Sequence, residues 1–186
     1  MMPYIRPAED KDLKNIEYIC RMTAGPEARK REDVGKKIAL TYSTYYARAE
    51  QETSFVLDDE GKAVGYILCA PDFTRYIKDY RKNEVKKLWG IEKKQSIIAY
   101  FLPLGYLPFK NKYPAHLHID LLDEYQGKGY GSQMMKTLLA KLKEMKLPGV
   151  MLIVDKDNEG AQRFYKRAGF RKIASAFGGV VMARKL

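Results

Sequence analysis

The sequence predicts an α/β fold, and three stretches carry that expectation. Residues 115–122 alternate and are rich in branched apolar side chains, as a half-buried strand requires. A loop with Gly127, Gly129 and Gly131 follows, and then an amphipathic helix with Met135, Leu138, Leu139, Leu142 and Met145 at helical spacing. Thr53–Leu57 and Val64–Ala70, joined by Asp58-Asp-Glu-Gly61, read as a β-hairpin. With 186 residues the chain is long enough to bury a core, and one domain over 1–186 is expected.

The remaining elements follow in order. Tyr4–Ala8 is a short first strand. Asp10 is placed to cap a helix whose Leu13, Ile16, Ile19 and Cys20 share one face. Thr23-Ala-Gly-Pro26 breaks it, and a basic helix with Ile38, Leu40 and Tyr42 follows through about Arg48. Residues 73–113 then form an aromatic-rich insert with nine aromatic side chains, Trp89 among them. A structureless loop of that length is uncommon, so Arg75–Gly90 is expected to be helical. Val150-Met-Leu-Ile-Val-Asp155 reads as a buried strand, and a helix with Ala161, Phe164, Tyr165 and Ala168 on one face follows it.

Composition excludes several classes. Hydrophobic residues make up 46%, too many for a disordered chain. No apolar run reaches ~18 residues, so no membrane span is expected. The first residues, Met-Met-Pro-Tyr-Ile-Arg, lack the apolar core of a signal peptide, and cytoplasm is the expected compartment. Cys20 and Cys69 do not suggest a disulfide framework, and no metal-ligand pattern stands out. The charge of +11 is spread over several segments, without a nucleic-acid motif. It suits a solvated surface that attracts an anionic cofactor.

A bare glycine loop opening onto a helix N-terminus is an anion site, and the usual anion is a phosphate or pyrophosphate. The dinucleotide pattern fails at Ser132, where a glycine should stand, and Asp123-Glu-Tyr-Gln126 separates the strand from the loop. The P-loop pattern is absent. What fits is Gln126-Gly-Lys-Gly129-Tyr-Gly131, followed by Asn158-Glu-Gly-Ala161-Gln-Arg-Phe164-Tyr165-Lys-Arg-Ala-Gly169-Phe170. This pair resembles the two signature motifs of the GNAT superfamily of acetyl-CoA-dependent N-acetyltransferases. The resemblance is close over residues 115–170. Within the superfamily, Tyr113–Leu122 is similar to bacterial members related to the acetyltransferase-like domain of O-GlcNAcase.

The resemblance implies a mixed, largely antiparallel sheet flanked by helices, with acetyl-CoA between the two central strands. It implies direct acetyl transfer to a primary amine, with no metal. Backbone N–H groups around Gly127, Lys128, Gly129, Tyr130, Gly131 and Ser132, in the loop opened by Gln126, would hold the pyrophosphate. The strand edge at Ile119 and Leu121 would pair with the pantetheine arm. Asn158 would be a ligand of that arm, a role compatible with capping its helix. Tyr165 would be the general acid beside the sulfur; otherwise it is a core aromatic whose hydroxyl seeks a partner. The insert borders the acceptor site in this superfamily and would form a pocket or lid, or else pack on the sheet or on a second copy of the chain.

A general base is less sharply indicated. His116 and His118 lie two apart on the strand and face one side, with Leu117, Ile119 and Leu121 on the other. An imidazole near ~6.5 suits removal of an amine proton. A similar Ala-His-Leu-His run serves the catalytic site of arylalkylamine N-acetyltransferases, although there it lies one residue farther from the loop. Two structural histidines are the alternative, and Asp120 on the same side is the reserve base. The rival to catalysis is a non-catalytic GNAT-fold binding module. The acceptor amine is not legible.

Overall fold

The computed structural model describes residues 2–186. Its strands are β1 (Tyr4–Pro7), β2 (Phe55–Asp59), β3 (Lys62–Ala70), β4 (Ala115–Leu121), β5 (Gly149–Asp155), β6 (Arg171–Ala176) and β7 (Gly179–Lys185). They form one sheet in the order β1-β2-β3-β4-β5-β7-β6. Neighbours are antiparallel except β4 and β5, which run parallel, so the sheet is mixed as expected. The β2–β3 hairpin turns through Glu60 and Gly61, both with positive φ, and the Gly61 N–H donates to the Asp58 carboxylate at 2.7 Å.

One face of the sheet carries α1 (Leu13–Thr23), α2 (Pro26–Lys30), α3 (Glu32–Tyr42) and α4 (Thr44–Ala49). The buried stripe of α1, Ile16, Ile19 and Cys20, is the one the spacing predicts. Two local expectations differ. Asp10 is not the cap: it lies inside a 3-10 turn whose capping box joins Glu9 and Asp12. The helix expected through Arg48 breaks at Ser43, whose hydroxyl donates to the Ala39 carbonyl at 3.2 Å.

The insert is helical without a gap from residue 73 to 91, as α5 (Phe73–Tyr80), one π-turn and α6 (Lys86–Ile91). Asp72 caps α5 by accepting the Thr74 and Arg75 N–H groups at 2.8 and 3.0 Å. After a turn come α7 (Lys93–Phe101) and a 3-10 segment, Leu102–Phe109. Tyr76, Tyr80 and Tyr106 of the insert join Tyr45, Tyr46 and Leu68 in the core on this face. On the opposite face, α8 (Tyr130–Glu144) and α9 (Glu159–Arg167) cover Leu117, Leu152 and Met182. Among the described residues no helix is long and apolar enough to cross a membrane.

The first strand is locked by a buried ion cluster. Arg6 donates Nε to Asp58 at 2.7 Å and both terminal nitrogens to Asp12 at 2.6 and 2.8 Å. Both carboxylates are about 1% exposed, so neither can turn to water. Replacing Arg6 by Met keeps most of the stem's packing but strands two buried charges. Breaking a buried pair in this way costs about 3–5 kcal/mol. Urea unfolding of Arg6→Met should therefore show a loss of about 3 kcal/mol or more. A loss under about 1 kcal/mol would mean that water reaches the two aspartates.

Candidate active site

The two central strands pair only briefly. Strand β4 follows β3 along its whole length, from Ala70↔His116 to Gly65↔Leu121. With β5 it shares only Ala115↔Val150 and His116↔Met151, while β5 stays paired to β7 from Gly149 to Asp155. Beyond His116 and Met151 the strands part into a wedge. The edge of β4 through Ile119 and Leu121 has no strand beside it. The Tyr106 hydroxyl takes the place of a strand partner for β5, accepting the Ile153 N–H at 3.2 Å.

The glycine loop stands at the mouth of the wedge. Gly127 and Gly129 have φ of 72° and 87°, a region in which a Cβ is strained, and Gly129 caps α8. Nothing among the described residues accepts from the N–H groups of 127–131. They point outward at the positive end of a 15-residue helix, a ready anion cradle. Gln126 does not face the cradle; its amide donates to the Leu121 carbonyl at 2.8 Å and closes the loop onto β4. Tyr125 anchors the loop by donating to Asp59 at 2.6 Å, and Lys128 sits over its ring. From Ser132 a groove of about 610 Å³ runs between α8 and α9, with Lys136, Lys143 and Arg167 along it.

Asn158 caps α9, its Oδ1 accepting the Ala161 N–H at 2.9 Å. Tyr165 is 8% exposed, packed between Phe164 and Phe170. Burial raises its phenol well above the usual value, and the nearby Asp120 and Tyr106 raise it further. The phenol is therefore protonated at neutral pH, as a donor must be. Tyr165 thus belongs to the core on the α8–α9 face of the sheet.

His116, His118 and Asp120 share one side of β4, yet their surroundings differ sharply. His116 is 0% exposed, enclosed by Tyr46, Phe73, Tyr76 and Tyr106, with neither ring nitrogen partnered. Burial, with His118 adding to it, pushes its pKa well below 6.5. His118 packs between Tyr42 and Tyr46, and burial lowers it to about 4. Asp120 moves the other way. Burial raises it to about 6, and a hydrogen bond from the Tyr66 hydroxyl at 2.5 Å limits the rise. The group titrating closest to neutrality on this strand is thus the carboxyl, not an imidazole. Tyr66 and Tyr106 are the contributors that sequence reasoning did not single out. Tyr66 stands opposite Asp120 in the strand register, which pattern alone does not reveal.

The acetyltransferase (GNAT) family model matches residues 13–170. The uncharacterized N-acetyltransferase MJ1207 of Methanocaldococcus jannaschii is 24% identical over 152 residues, 81% of this chain. The chain spans about half of that relative's length, 53%. Among solved structures, that of SsHAT superposes with a TM-score of 0.89 at 34% identity, covering 100% of this chain and 98% of that one. The PaiA N-acetyltransferase from Thermoplasma acidophilum, solved in complex with coenzyme A, superposes at 0.67 over the whole of both chains. Its identity is 15%, so that likeness speaks for the fold alone.

His116 offers a direct check on this geometry. An imidazole with two unpartnered nitrogens in an aromatic enclosure carries a desolvation penalty of about 1–3 kcal/mol. His116→Leu, of similar volume and without polar atoms, should be at least as stable as the parent and up to about 1 kcal/mol more so in urea unfolding. A loss beyond about 2 kcal/mol would mean that a buried water satisfies the ring.

Proposed function

The chain belongs to the acetyltransferase (GNAT) family, and from that premise we propose that it transfers an acetyl group from acetyl-coenzyme A directly to a primary amine. The observation that carries this reading is the wedge with its cradle: an unpaired β4 edge leading to a loop of unpartnered N–H groups. The pyrophosphate would take the N–H groups of 127–131, whereas the Ser132 N–H already donates to the Gly129 carbonyl at 3.1 Å, and the pantetheine arm would run as a false strand along Ile119 and Leu121. The free amide of Asn158 would reach the arm. The cations of the α8–α9 groove suit the nucleotide end. No group of three or more His, Cys, Asp or Glu side chains that could hold a metal ion occurs among the described residues. Calorimetry with coenzyme A comes first: absence of binding by the folded chain would leave only the non-catalytic module.

Transfer needs the amine nitrogen to attack the thioester carbonyl carbon as the C–S bond breaks. The amine proton goes to a base, and the thiolate takes a proton from an acid. We assign the base to Asp120. At about 6 it is roughly nine-tenths ionised at pH 7, whereas His118 at about 4 is the weaker base by roughly a hundredfold. His116, sealed among aromatic rings and held neutral, takes no part in the proton transfer. Tyr165 is the acid. A thiol titrates near ~8.5, so a phenol donor helps the departure without being essential to it.

The pH profile separates these assignments. With an alkylamine acceptor, log kcat/KM should rise with slope one toward high pH, as the amine itself becomes neutral. Asp120 must also be ionised, so below about pH 6 the slope should steepen to two. Asp120→Asn should abolish the break and cost about 100-fold at pH 7. A break near 4 that His118→Ala removes would hand the base to His118. Tyr165→Phe should leave coenzyme A affinity unchanged and lower kcat by about 10- to 1000-fold. An unchanged kcat with a good acceptor would make Tyr165 a core aromatic alone.

A further inference from the structure

The insert presents an apolar face that nothing in the chain covers. Helix α7 buries Ser96 and Ala99 but leaves Ile97, Ile98, Tyr100 and Phe101 outside, each between 42% and 50% exposed. Trp89 on the preceding helix α6 is 52% exposed, with the Lys93 ammonium of α7 over its ring. Tyr100 is fixed rather than loose: the Arg81 guanidinium stacks on it at 3.9 Å and donates to its carbonyl. Five large apolar side chains at about half exposure stand on these two helices, and an exposed apolar cluster of this kind is often functional.

Charge says what kind of partner. Residues 73–113 hold ten basic and three acidic side chains. Two of the three acids are already engaged, Glu84 with Arg48 and Lys87, and Glu92 with Lys37. Two copies meeting here would face each other with like charge, which disfavours self-association. A polycationic acceptor such as a polyamine would be repelled as well.

Position links the patch to the chemistry. The 3-10 segment from Leu102 runs directly from Phe101 to the wedge, where Tyr106 holds β5. Gly105 lies so close to Ile153 and Phe177 that a Cβ there would meet both, at 2.9 and 3.3 Å. Phe177, 62% exposed on the β6–β7 turn, is thus an exposed apolar side chain beside this segment. At about 2 Å per residue the five steps from Phe101 to Tyr106 span on the order of 10 Å. That is comparable to about three residues of extended peptide.

We propose that the acceptor is an amine carried by a protein segment with acidic and apolar residues beside it, docked on the Trp89–Phe101 face while the amine reaches Asp120. This rests on the transferase reading and names its substrate class. The apolar side chains anchor the segment and the surrounding lysines attract its carboxylates.

The test uses three acceptors: a lysine peptide flanked by Glu and Leu, the same peptide flanked by Arg and Ser, and spermidine. At low salt kcat/KM should favour the acidic peptide by about tenfold or more, and the gap should shrink as salt rises. Ile97→Glu and Phe101→Glu, both at exposed positions, should raise KM for the acidic peptide about 5- to 10-fold. Their kcat, and their activity on butylamine, should stay at the parent's level. Lys93→Glu combined with Lys94→Glu should act in the same direction. Preference for the basic peptide or spermidine would overturn the proposal, as would unchanged KM in all three variants. So would patch-dependent binding to phosphatidylserine vesicles without a KM effect, or a dimer that Phe101→Glu dissociates. Fluorescence anisotropy of a labelled acidic peptide reads docking without turnover. Docking that depends on the patch, with no transfer to any amine, would count against the transferase reading; transfer to amines without such docking would count against this one.

Discussion

Strand β4 keeps β3 beside it for its whole length and gives β5 only two residues, and the site is a consequence of that asymmetry. A parallel pair that continued to Leu121 would satisfy its own backbone and leave no space between the central strands. Parting them exposes edge N–H and C=O groups that a sheet would ordinarily not leave unmatched. The fold tolerates this because both strands are held from their outer sides, β4 by β3 and β5 by β7. The Tyr106 hydroxyl relieves one of the exposed groups. The wedge is thus a defect in pairing stabilised by complete pairing on either flank.

Burial then decides the electrostatics. On one strand, within five residues, low polarizability of the surroundings drives two imidazoles down and one carboxyl up. In each case the neutral form is favoured, so the direction depends only on whether that form carries the proton. Groups that in water stand in the order carboxyl, then imidazole, are reversed here. Tyr66 prevents the carboxyl from rising further, because its hydroxyl favours the ionised form. Residue type would favour histidine as the group titrating near neutrality; burial favours the aspartate instead.

Local features were legible in the sequence, and those that depend on register were not. The strand, the glycine loop and α8 were readable because alternation, missing Cβ atoms and helical spacing act over a few residues. Gly127 and Gly129 do adopt positive φ, for which glycine is suited. The helical character of the insert followed from its length alone. By contrast, the Tyr66–Asp120 contact joins positions 54 residues apart through strand pairing, and single-chain periodicity carries no trace of it. The aromatic enclosure of His116 draws on α4, α5 and the 3-10 segment, so its burial could not be read from the strand. Sequence alone does not separate Asp10 from Asp12 as the capping acid; Asp12 accepts the Glu9 N–H and is held by Arg6.

Tyr106 belongs to the insert by sequence and to the wedge between β4 and β5 by contact. The segment that would recognise an acceptor therefore also braces the strand against which the thioester would lie. Exchanging residues 73–113 for a relative's version would not simply change the guest. It would also exchange the residue that partners the Ile153 N–H, so a change made for the guest would reach the sheet as well.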